Sequence, residues 1–109
     1  MLRYLYILTF MKGITKMKVS NMLSNKGNKV ANQFIIENDN ETIFQSYNSI
    51  IAKIVDGKDS LYSDKIYLDE YYYNYSRTTS KYLNMFLNQT SKEIQKNIKE
   101  GNYILTNLN

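Results

Sequence analysis

The chain contains no cysteine and no histidine. Those two absences remove disulfides, zinc sites of the usual ligand types, and any thiol or imidazole acting as nucleophile or base. They fit a reducing cytoplasm without requiring one, because many secreted bacterial proteins also lack cysteine. Glycine occurs only 4 times in 109 residues, and Gly27, Gly57 and Gly101 stand alone as turn residues rather than in a phosphate-cradling loop. Ser46, Ser49, Ser76, Thr78 and Thr79 have no histidine to activate them. Asp56, Asp59, Asp64, Asp69 and Glu70 lack the alternation and the glycine of a calcium-binding loop, and read as turn caps and solubilising charge. With no catalytic, cofactor or metal constellation, the chain is expected to be non-enzymatic.

What is present describes one ordinary domain. A chain of 109 residues with 43 % apolar, 22 % charged and 14 % aromatic residues is long enough for a thin core, and large rings stabilise small cores efficiently. Proline is absent, and five methionines accompany many Asn, Lys, Ile and Tyr, the usage of an AT-rich genome. That bias dilutes the functional meaning of any single lysine or tyrosine. The net charge of +4 is unevenly spread. Arg3, Lys12, Lys16, Lys18, Lys26 and Lys29 meet no acid before Glu37, and this suits either an acidic partner such as RNA, DNA or an acidic protein face, or a plain solvated surface.

Residues 1–16 begin like a secretion signal, with Arg3 ahead of the apolar run Tyr4 to Phe10. The run has no small-residue cleavage site after it and falls well short of the roughly 20 apolar residues of a membrane span. Met11 and Met17 both qualify as starts, so the segment reads either as a leader or poorly ordered extension ahead of a single domain 17–109, or as an added edge strand.

From Met17 onward the periodicity predicts an α+β domain. Val19, Met22 and Leu23 fall at helical spacing in 18–25, a short N-terminal helix. VANQFIIEN alternates with Val30, Asn32, Phe34 and Ile36 on one face; ETIFQSY, IIAKIV (Ile50, Ala52 and Ile54 together) and KIYLDE follow, giving an antiparallel meander of about four strands. The period then lengthens: Tyr82, Leu83, Phe86 and Leu87 share a helical face, with Ser76, Thr78 or Thr79 as N-cap. Thr90-Ser91-Lys92-Glu93 has the capping-box form, opening a second helix over 91–99 with Ile94 and Ile98 inward and Gly101 as its stop. These two C-terminal helices are expected to cover one face of the sheet, and NYILTNLN to add a final short strand. The expected core is Phe34, Ile36, Phe44, Ile50, Ile54, Leu68, Leu83, Phe86, Leu87, Ile94 and Ile98.

The stretch DEYYYNYSRTT, 69–79, concentrates four tyrosines and an arginine. Adjacent rings on an extended chain cannot all point inward. Tyr75 is expected to anchor the sheet-to-helix corner, leaving Tyr71, Tyr72 and Tyr73 with Arg77 and Lys81 as a partner-binding surface; Lys16, Lys18, Lys26 and Lys29 form a second, basic one. The same rings are also suited to stacking on unpaired bases.

NKVANQFIIEN, FQSYNSIIAKI, YNYSRTTSKYLNMFL and IQKNIKEGNYIL resemble the successive blocks of a small uncharacterised family from phages and mobile elements of low-GC bacteria, with FQSYNSIIA and YSRTTSKY the most specific. Tyr72-Tyr73-Asn74-Tyr75 departs from the single Trp or Tyr expected before the YS-TT block. The resemblance covers 17–109 and implies a phage or prophage setting with no assigned activity. Together with small size and the lack of catalytic chemistry, it leads to the expectation of a cytoplasmic anti-CRISPR-like inhibitor. Such a protein would bind a host defence effector protein or ribonucleoprotein, with no cofactor and no membrane. The alternative is a nucleic-acid-binding accessory protein of phage replication or transcription, contacting RNA or DNA directly. A third is an assembly protein, recognisable by concentration-dependent oligomerisation; the sequence leaves the oligomeric state open.

Overall fold

A computed structural model describes residues 17–57 and 64–109. The leader-or-strand question for 1–16, with Lys16 of the basic surface, lies outside the described residues. The described chain forms one six-stranded sheet in sequence order: β1 (Lys18–Leu23), β2 (Lys29–Glu37), β3 (Glu41–Ser46), β4 (Ser49–Val55), β5 (Lys65–Asp69) and β6 (Tyr103–Thr106). Strands β1 to β5 are an antiparallel meander, whereas β6 runs parallel to β5. A parallel return needs a long crossover, and two helices fill it, α1 (Arg77–Leu87) and α2 (Ser91–Lys99).

Both helices have the ends their residues predict. Ser76 caps α1 by accepting from the Thr79 N–H at 3.1 Å, and Asn88 at φ 56° closes it. In α2 the capping box is complete: Thr90 Oγ1 accepts from Glu93 N–H (3.1 Å) and Glu93 Oε1 from Thr90 N–H (2.8 Å). Gly101, at φ 82°, lets its own N–H and that of Asn102 reach back to the carbonyls of Ile98 and Asn97, a reversal that left-handed backbone permits.

Two expectations about the architecture are overturned. The expected helix over 18–25 is absent among the described residues: 18–23 is the strand β1, paired with β2 through a turn in which Gly27 N–H reaches Ser24 O. A helix of so few residues is marginal alone, and a six-residue window with Val19, Met22 and Leu23 cannot separate the two periods; pairing with the nine-residue β2 satisfies the backbone instead. Among the described residues the sheet therefore has six strands, not about four.

The core lies between the helices and one face of the sheet, where Phe44, Ala52 and Leu68 are fully buried with Ile51, Leu83, Ile94 and Tyr103. Phe86, Leu87 and Ile98 are half-buried against that cluster, Phe86 with its ring 5.7 Å from Phe44. Phe34, Ile36 and Ile50 are not part of it. In β2 the register places Ile35 opposite Phe44, so Gln33 and Ile35 face the helices while Phe34 and Ile36 face away. In β4 an irregularity at Phe44/Gln45 puts both Ile51 and Ala52 on the helix side and turns Ile50 to the other. Ile54 is half-buried and outside the core cluster.

Candidate functional site

The tyrosine stretch is shaped by one carboxylate. Asp69, at the end of β5, is 2 % exposed; its Oδ2 accepts the N–H groups of Tyr71 (3.1 Å) and Tyr72 (2.9 Å), and its Oδ1 that of Leu108 (2.7 Å). Burial by itself would raise this carboxyl, but the Leu108, Tyr72 and Tyr71 N–H groups and the Asn109 side chain outweigh it and hold the group below its ordinary value. The chain coils tightly as a result, with Tyr73 N–H on Asp69 O and Tyr75 N–H on Tyr72 O. Three rings converge: Tyr71 lies edge-on to Tyr72 (4.7 Å), Tyr72 to Tyr75 (5.4 Å), and Tyr71 tilts against Tyr75 at 5.7 Å.

The roles within the cluster differ from those expected of the sequence. Tyr75 is not the anchor; it is 62 % exposed, as Tyr71 is at 63 %. Tyr72 and Tyr73 are the half-buried rings packed against the core, and Tyr73 turns toward α2, where its hydroxyl accepts from Gln95 Nε2 at 3.1 Å. The coil imposed by Asp69 replaces the extended alternation on which the expectation rested. Arg77 is exposed at the first position of α1 and makes no ion pair among the described residues. Lys81, one turn further, lies with Nζ 5.3 Å from the centre of its neighbour Tyr82.

Beside the cluster is a cleft of about 210 Å³ walled by Tyr47, Tyr72 and Tyr75, with Ser46 and Thr79 buried in its lining and Ser76 at its edge. Tyr47 was not among the expected site residues. It sits in the two-residue β3–β4 turn at φ 54°, with its N–H on Asn32 O (2.7 Å) and its carbonyl accepting from Gln45 Nε2 (2.7 Å). A bulky side chain at positive φ is a strained outlier held by its surroundings, and here it presents a 59 % exposed ring. The C-terminal tail clasps the same corner: Asn109 uses its side chain to pair with both the N–H (2.7 Å) and the carbonyl (2.9 Å) of Ile50. The sequence carried one legible signal for Tyr47, a large ring at a hairpin turn, but not its strained backbone.

The basic residues are dispersed. Lys26 and Lys29 are exposed at the tip of the β1–β2 hairpin, at the same end of the sheet as the tyrosine corner but several strands away; Lys18 lies at the other end, opposite Glu37. The cleft's lining is thus uncharged, and offers ring faces and hydroxyls to a flat or small polar group. Among the described residues no group of three Asp or Glu side chains is placed to hold a metal ion, and no helix is long and apolar enough to cross a membrane.

Residues 17–101 match the model of a family of unknown function, DUF8033, and the chain belongs to that family. Neither the curated proteins nor the solved structures contain a match to it.

Proposed function

We propose that the chain is a non-enzymatic binding protein whose tyrosine corner occupies a surface of a protein partner. In the phage or prophage setting implied by the resemblance of its sequence blocks, that partner is a host defence effector, a CRISPR–Cas complex in the cytoplasm being the reading that best fits a small inhibitor. The observation that carries the binding role is the trio of exposed rings, Tyr47, Tyr71 and Tyr75, beside Arg77, which has no ion pair among the described residues. Tyr and Arg dominate interface hot spots because they bring large contact area and several donors with few torsions to freeze. The assignment to defence inhibition rests on analogy of setting and size rather than on this geometry.

Direct nucleic-acid binding is the second reading, supported by Lys26 and Lys29 at the same end of the sheet as the rings. The two differ in salt dependence, since phosphate contacts weaken steeply with salt and an aromatic-centred protein interface does not. Affinity purification from the native host, with and without nuclease, followed by binding of the Tyr71→Ala/Tyr75→Ala/Arg77→Ala variant to whatever is recovered, decides the matter. The proposal expects a nuclease-resistant protein partner that the variant no longer holds. A partner lost on nuclease treatment favours the second reading, and undiminished binding by the variant removes the corner from the account.

A further inference from the structure

The face of the sheet away from the helices carries a central apolar row. One cross-strand row runs through all six strands, Val19, Ile36, Ile43, Lys53, Tyr67 and Ile104, with Phe34 and Ile50 in the next row beside Asn21 and Gln45, and Glu41, Val55 and Lys65 in the row on the other side. No described element packs on it. Antiparallel strands with one wet face alternate apolar and polar residues, whereas strands buried on both faces read as continuous apolar runs. Here the runs are Phe34-Ile35-Ile36, Ile43-Phe44, Ile50-Ile51-Ala52 and Ile66-Tyr67-Leu68.

The register of β2 makes the point at a cost. Shifting the pairing by one residue would bring Phe34 and Ile36 under the helices. Instead the helix side receives Gln33, 1 % exposed, whose Oε1 has no hydrogen-bond partner among the described residues. An unpaired buried amide oxygen is destabilising, so a sequence that accepts it while sending a phenylalanine and an isoleucine outward treats the outer face as a second interior.

We infer that this face is the interface of a symmetric homodimer, two copies stacking sheet on sheet into a sandwich. Strand spacing and rise make the three rows about 29 Å across and about 20 Å along the strands, near 600 Å² in plan. With side-chain relief that approaches the ~800 Å² per partner of a stable interface. Its apolar row forms the centre of the contact, with Asn21, Gln45, Glu41 and Lys65 as the polar rim that protein interfaces carry. Lys53, the row's one charge, does not obstruct pairing: its Nζ is 3.5 Å from Glu41 Oε2 and 5.8 Å from the centre of the Tyr67 ring. It therefore enters the interface with its counter-ion already in place. A flat face identical on both copies meets the isologous requirement of a two-fold axis. This inference is independent of the tyrosine corner, which lies at the strand ends and stays accessible in the sandwich.

Sedimentation velocity on the full chain, with Ile43→Lys and Ile36→Lys as separate variants, tests it. The wild type should sediment at twice 12.9 kDa, and each variant, its folding checked by circular dichroism, should dissociate at least ~100-fold more readily. A wild type that stays monomeric overturns the inference, as does a dimer indifferent to both lysines. A monomer that dimerises only after residues 1–16 are deleted would assign the face to the chain's own leading segment instead. Should neither variant fold, the melting temperature of the wild type decides: it should rise over a ~100-fold range of concentration, and a flat profile would overturn the dimer.

Discussion

The tyrosine corner and the outer face of the sheet both expose apolar surface, and they do so for different physical reasons. At the corner, polar anchors put the rings outside: Asp69 coils the backbone beneath Tyr71 and Tyr72, Ser76 starts the helix beyond them, and a strained turn lifts Tyr47. Each ring there carries a hydroxyl that water can satisfy, so the corner can be bare or covered. On the outer face the exposure follows from strand register alone, and Ile36, Ile43 and Phe34 have no polar tip. The first is suited to a partner that comes and goes, the second to one that stays.

The largest effect expected should separate the covered face from the outer one. Phe44→Ala, at a fully buried ring, should cost ~3–5 kcal/mol by denaturant unfolding. Ile43→Ala, its neighbour on the opposite face, should cost distinctly less in a monomer and approach the ~2–5 kcal/mol of a buried site only at concentrations where the dimer forms. Equal costs at every concentration would erase the distinction between the faces.

Next in size is the corner's anchor. Asp69→Ala leaves three N–H groups without their acceptor and should cost about 3 kcal/mol, with loss of partner binding because the rings disperse. The carboxyl's folded pKa lies below its ordinary 3.8, so its stabilising contribution is complete above that value and is lost as pH falls through the lower, folded one. Wild-type unfolding followed below pH 4 should therefore show an acid-side fall in stability that Asp69→Asn flattens. An unchanged acid limb in the variant would mean that another carboxylate controls it.

The binding prediction is smaller and confined to one region. Tyr71→Ala/Tyr75→Ala/Arg77→Ala should weaken partner binding by ~2 kcal/mol or more while stability shifts by under about 1 kcal/mol, because all three side chains are exposed. Smallest of all, Tyr47→Gly relieves the positive-φ strain and should raise stability by about 0.5–1 kcal/mol while costing affinity. A Tyr47→Gly protein that is destabilised would show the turn to be relaxed as it stands.

Much of the C-terminal half could be read from the residues. The 3.6-residue spacing of Leu83, Phe86 and Leu87, the Thr90–Glu93 capping box and Gly101 are local signals, and local hydrogen bonds decide them. Strands β2 to β5 were legible as extended runs, and Phe44 and Leu68 face inward as expected, but the inward faces of β2 and β4 were not legible. Phe34-Ile35-Ile36 has no alternation to read, and only the pairing of Ile35 with Phe44 fixes it. β1 was misread because six residues with three apolar positions fit either period until β2 supplies a partner. At the site, the tyrosine density was visible in the sequence. The exchange of roles between Tyr75 and Tyr72 was not: it follows from Asp69 accepting the Tyr71 and Tyr72 N–H groups, a coil that tyrosine density alone does not announce, with the carboxylate also engaged by Leu108, 39 residues away.

The central claim, that one face of this sheet is reserved for a second copy while the corner is left for a partner, is tested most directly by sedimentation of two variants side by side. Ile43→Lys should sediment as a folded 12.9 kDa monomer, and Tyr71→Ala/Tyr75→Ala/Arg77→Ala should remain a dimer. A dimer lost in the tyrosine variant and kept in Ile43→Lys would contradict it.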